Sequence, residues 1–135
     1  MSVNKKMRGQ LSIEFIIFIS FAMIMMVSFL VIIYEREQNL RAARQIQELR
    51  EIALRVQSEI DTASVVEDGY LRRFTLPDNI YGLDYQIFIV DNYVLATSEK
   101  YSELLSIIPC KGEVTKGVNT IRKENGTICL NSECP

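Results

Sequence analysis

The chain has 135 residues, enough for one modest domain once any membrane segment is set aside. Its charges nearly balance at a net −2, yet removal of the basic cluster Lys5, Lys6 and Arg8 would leave twelve basic against 17 acidic side chains. That acidic remainder argues against nucleic acid as a partner, because phosphate neutralisation needs clustered Lys and Arg. Histidine is absent, which excludes Ser-His and Cys-His nucleophilic catalysis. No Walker A, G-x-S-x-G or G-x-G-x-x-G pattern occurs, and the six glycines are scattered as turn glycines are. Neither an enzymatic activity nor a cofactor is expected.

In chain order, the basic cluster meets the small residue Gly9 and a short polar box, Gln10-Leu11-Ser12-Ile13-Glu14. From Phe15 to Tyr34 there is no charged side chain. Twenty uncharged, mostly apolar residues match the roughly 30 Å of hydrocarbon that a transmembrane helix must cross. The run is too long for the h-region of a secretory signal, and no A-x-A-like site follows it. The small residue stands before the run, so a cut there would release only the basic leader and keep the helix. Lys and Arg counts do not orient the span, since Arg36, Arg41, Arg44 and Arg50 follow it closely.

The segment from Lys5 to Phe15 resembles the class III signal peptide of archaeal type IV pilin-like proteins. That family's pattern is a basic leader, then Q-x-S-x-E and an aromatic or apolar residue; Gln10, Ser12, Glu14 and Phe15 match it. The resemblance covers about eleven residues. It implies cleavage between Gly9 and Gln10 by a membrane prepilin peptidase on the cytoplasmic side. Lys5, Lys6, Arg8, Ser12 and Glu14 would be recognition residues. It also orients the chain, with the N-terminus inside and the C-terminal domain outside. In the family the glutamate pairs with a neighbouring subunit's N-terminal amine, which here means Glu14 with Gln10 of another copy, and Glu14 and Phe15 then take part in assembly. Read without the family, Glu14 lies near the interface and reaches water by snorkelling.

Glu35 to Ala63 contains neither glycine nor proline. Ala42, Ile46, Leu49, Ala53, Val56, Ile60 and Ala63 recur in steps of 4 and 3, an apolar seam of heptad type, widened by Leu40, Ile52 and Leu54. One helix from Gln10 to Ala63 would be about 80 Å long at 1.5 Å per residue. Its membrane half is expected to pack with other subunits and its outer half to support a globular domain.

Asp68-Gly69 ends the helical pattern. Strands are predicted over Tyr70–Leu76, Tyr85–Val90, Tyr93–Thr97, Gly112–Lys116, Val118–Lys123 and Thr127–Leu130, and Tyr101–Ile108 reads as a strand with a short helix as the alternative. Asp91-Asn92 and Asn125-Gly126 lie where tight hairpin turns belong. Arg72-Arg73 is expected to face solvent. Asp78, Asp84 and Asp91 match no calcium loop and read as solvated turn residues. The three cysteines are Cys110, Cys129 and Cys134. With no Cys-x-x-Cys and no histidine, no metal site is expected. A Cys110–Cys129 disulfide is favoured over the short loop that Cys129–Cys134 would close; three free thiols are the other reading. Asn125-Gly126-Thr127 is also an N-glycosylation sequon, so Asn125 is a candidate for a sugar as well as a turn residue.

The expected fold class is α+β: a long N-terminal helix, transmembrane then amphipathic, followed by a small antiparallel β-sheet or β-sandwich head, pilin-like by resemblance. The expected divisions are a removed leader at 1–9, a hydrophobic transmembrane and filament-core helix at 10–34, an amphipathic extension at 35–64 and an extracellular β-rich head at 65–135. By resemblance the chain is a structural subunit of an extracellular type IV pilus-like filament, used for surface adhesion. Its partners would be the peptidase, other copies or related pilins, the assembly machinery and the membrane, and it would move from membrane precursor to cell-surface filament. The alternative is a single-pass, membrane-anchored extracellular binding module that does not polymerise.

Overall fold

The computed structural model describes the backbone of residues 4–134 and the side chains of residues 12–134. A single helix, α1 (Asn4–Val65), precedes all the strands. The chain divides after Arg41 into two compact units.

In the first unit the apolar side chains of α1 find nothing to pack on. Phe18, for example, remains 72% exposed, and the helix is long and apolar enough to cross a membrane. The two serines of the apolar run are satisfied within the helix itself. Ser20 Oγ donates to the Ile16 carbonyl and Ser28 Oγ to the Ile24 carbonyl, both at 2.8 Å. This back-bonding removes the cost of carrying a hydroxyl into hydrocarbon. After the apolar run, Arg41 pairs with Glu37 at 2.8 Å, one helical turn apart.

In the second unit α1 becomes amphipathic. Leu49, Ile52, Ala53, Val56, Ile60 and Ala63 are all buried. The steps of 3 and 4 between these residues put them on one stripe. Ile46 and Leu54 stay largely exposed, so the seam is buried only from Leu49 onward. The stripe joins one core cluster with Phe74, Leu76, Tyr85, Ile87, Val94, Ala96, Ile121 and Leu130 from the sheets.

The strands are β1 (Leu71–Leu76), β2 (Tyr85–Val90), β3 (Tyr93–Ser98), β4 (Ser102–Ser106), β5 (Lys111–Gly112), β6 (Gly117–Glu124) and β7 (Thr127–Leu130). They form a four-stranded sheet in the order β1-β6-β7-β5 and a three-stranded meander, β2-β3-β4. The α+β layout and both hairpin turns are as the sequence predicts. Asp91 and Asn125 take positive φ, 53° and 51°, as such turns require. β5 differs: it pairs with β7 in parallel, so the four-stranded sheet is mixed.

The strand expected over Gly112–Lys116 stops at Gly112. Side chains take the polar groups beyond it. The Glu113 carbonyl accepts from Asn131 Nδ2 at 2.9 Å, the Thr115 N–H donates to Asn119 Oδ1 at 2.8 Å, and the Thr115 carbonyl accepts from Asn119 Nδ2 at 2.6 Å. Side-chain bonds of this kind compete directly with a ladder.

The helix exit is locked to β6. Lys123 Nζ donates to the carbonyls of Ser64 and Val66, at 2.8 and 2.7 Å, where a helix C-terminus leaves carbonyls without partners. Arg72 is exposed, as the sequence predicts, and is also drawn toward the helix. It shares the inner face with Phe74, and its Nε lies 3.3 Å from Glu59 on α1, an ion pair without an aligned hydrogen bond. Arg73, on the opposite face, is exposed.

Candidate functional site

The candidate site is the start of α1. The side chains of Lys5, Lys6, Arg8 and Gln10, and the surroundings of Gly9, lie outside the described residues. Ser12, Glu14 and Phe15 are exposed on the helix. Ser12 and Glu14 are two residues apart and therefore project from different sides of it. From Ile13 to Ile33 only Glu14, Ser20 and Ser28 are polar. The two serines are bonded within the helix, which leaves Glu14 as the one group in the apolar segment whose desolvation would need an outside partner.

The disulfide joins Cys129 to Cys134, with Cα atoms 5.7 Å apart, and Cys110 is free. This overturns the expected Cys110–Cys129 pair. Register is the reason. Lys111, not Cys110, stands opposite Cys129 in the parallel β5–β7 pair, and paired residues share a face. Cys110 is one residue out of step and packs against the core cluster instead. The loop that looked too short closes because Asn131 turns the chain at φ 51° immediately after β7. Thr120 fixes that turn, its N–H donating to Asn131 Oδ1 at 2.8 Å and its carbonyl accepting from the Asn131 N–H at 2.9 Å. Burial raises the Cys110 thiol's pKa and so disfavours the thiolate.

Asn125 is exposed at the tip of the β6–β7 hairpin, in geometry an attached sugar would need. The turn itself is held, since the Gly126 N–H donates to Asp68 Oδ1 at 2.9 Å. Asp84 pairs with Lys116, whose Nζ also sits 5.0 Å from the Tyr85 ring centroid. The Lys116 hydrogen bond and charge hold the Asp84 carboxyl below the usual range. Asp78 and Asp91 are exposed turn residues. Among the described residues no group of His, Cys, Asp and Glu could hold a metal ion. A cavity of about 210 Å³ lies between Gln45, Leu83, Asp84, Ser98, Glu99 and Lys100, and the Ser98 hydroxyl there donates to the Tyr101 carbonyl at 3.4 Å.

Sequence reasoning missed three polar devices: the Asn119–Asn131 pair, in which Asn131 Nδ2 donates to Asn119 Oδ1 at 2.7 Å, the Lys123 cap and the Asp68 clamp. A signal for two of them was present. Strict alternation along β6 puts Asn119, Ile121 and Lys123 on one face, and an amide and a cation on a core-facing row must find partners.

Comparison of the chain with family models, curated proteins and solved structures gave no match.

Proposed function

We propose that the chain is a pilin-like structural subunit, cut by a prepilin peptidase between Gly9 and Gln10 and assembled through its N-terminal helix into an extracellular filament used for surface adhesion. The observation that carries the reading is the uncovered apolar surface of α1 from Ile13 to Tyr34, directly after a segment that resembles a class III signal peptide. Such a helix needs an apolar environment, and two are available to it in turn. The bilayer serves before cleavage, and the helices of other copies serve afterwards. Burial against copies preserves the hydrophobic gain of roughly 25 cal/mol per Å² without lipid. The β-rich domain has its own core, to which no residue before Leu49 belongs.

Glu14 gives assembly a polar register mark. A carboxylate at bilayer depth costs roughly 2.5–3.5 kcal/mol, and pairing with the Gln10 amine of another copy would offset it.

The test is to express the full chain with the matching peptidase, sequence the mature N-terminus and analyse sheared surface filaments by mass spectrometry. A start at Gln10 and the presence of this chain in filaments are expected. A chain that stays uncut in the membrane fraction would instead be an anchored binding module. Glu14→Ala should be cut normally yet be depleted from filaments by tenfold or more; normal incorporation would remove the pairing role.

A further inference from the structure

Two outward faces of the β-rich domain are exposed in large part, apart from Cys129, which is outward on β7 yet buried, and they differ in character. On the outward face of the three-stranded sheet, Phe88, Leu95 and Leu104 stand in one cross-strand row, with Val90 and Tyr93 in the next. Phe88 is 46% exposed and Leu104 56%. No charged residue occupies an outward position on β2, β3 or β4. The surrounding stretch, 77–109, carries five carboxylates (Asp78, Asp84, Asp91, Glu99, Glu103) against the single cation Lys100. The outward face of the four-stranded sheet exposes Leu71 and Val118 beside Arg73 and Arg122. Its outward strand positions carry the cations Arg73, Lys111 and Arg122 against the carboxylate Glu124.

We propose that the outward face of the three-stranded sheet of one copy docks on the outward face of the four-stranded sheet of a second copy. This deepens the assembly reading above and rests on it for its setting. Each face supplies apolar area, and their surroundings are opposite in sign. Pairing of like faces would set acidic against acidic or basic against basic, while unlike faces attract. A contact between unlike faces is heterologous. Each added copy leaves one face of each kind free, so growth continues along a ring or an open filament. The domain thereby contributes a second set of subunit contacts, separate from the helix.

The test uses the full chain, expressed with its peptidase and assembly machinery, in a Cys110→Ala background. Leu104→Cys and Val118→Cys place one thiol on each face, and a flexible bis-maleimide links those that meet. With both in one chain, a ladder of dimers, trimers and higher species is expected. Co-expression of the two single variants should give dimers only, and each single variant alone should give monomer. Dimers from Leu104→Cys alone would mark a like-face contact and overturn the proposal; so would monomer throughout. If Cys110→Ala lowers expression, native Cys110 is kept and each single variant sets its own baseline. Filaments without a ladder would sink this contact but leave the assembly reading standing. A ladder confined to membranes, with no filaments, would uphold the contact and sink the filament.

Discussion

Tyr85 shows how much of the domain's order passes through one side chain. It is almost fully buried, its hydroxyl donates to the Pro77 carbonyl, and its ring lies under Lys116. The bond ties the start of β2 back to the loop that leaves β1. Burial, then the charges of Asp78 and Asp84, push the phenol's pKa up to about 12. A deprotonated phenolate in that position would be desolvated and would face two carboxylates. Folded and unfolded chains therefore bind the Tyr85 proton differently. The stability it contributes is present in full below about pH 10, the ordinary tyrosine value, and is lost as pH rises toward about 12. Thermal melts of the protein should fall steeply over that interval, and Tyr85→Phe should flatten the fall. The same substitution forfeits one hydrogen bond, about 1 kcal/mol, at neutral pH. An unchanged alkaline slope in Tyr85→Phe would mean that other groups set it.

Among the elements, the helix and the long hairpins were legible and the short strand was not. Twelve buried positions of α1 and β1 to β3 follow periods of 3.6 or 2, which the order of residues displays directly. Asn125-Gly126 and Asp91-Asn92 declared their turns because few pairs tolerate positive φ. β5 carried no such pattern. It is two residues long, and its placement depends on Gly112, whose φ of 99° allows the backbone to lie against β7. A Cβ there would sit 1.9 Å from the Leu130 carbonyl oxygen. That requirement is visible only when the two strands are side by side, and it is also what takes Cys110 out of step with Cys129. The candidate processing site rests on a contiguous motif alone, and the surroundings of Gly9 and the side chain of Gln10 lie outside the described residues. Gly112→Ala should cost roughly 1–3 kcal/mol through overpacking, and lower Tm by roughly 5–20 °C in a domain of this size. Gly82→Ala is the control, because it also has positive φ but open space around it. Equal losses from the two substitutions would show that φ alone, not the β7 contact, makes Gly112 necessary.

At the scale of the molecule, the two units answer to different solvents. Every member of the core cluster lies between Leu49 and Leu130. The apolar residues before Arg41 contribute nothing to that cluster and are exposed instead. Folding of the β-rich unit should then be independent of the span, while solubility should depend on it. A fragment beginning at Ala42 keeps the whole core and the Lys123 contacts to the helix end, together with the Cys129–Cys134 bridge. It is a small domain, for which each of these ties matters. The fragment should remain in solution without detergent and melt cooperatively, within a few degrees of the full chain in detergent. The full chain should pellet or aggregate when detergent is withdrawn, because about twenty apolar residues lose their only cover. A fragment that shows no cooperative transition would mean that the span stabilises the β-rich unit, and the separation of the two would fail. A fragment that folds leaves the helix free to exchange one apolar environment for another without disturbing the domain it carries, as the proposed lipid-to-filament transfer would require.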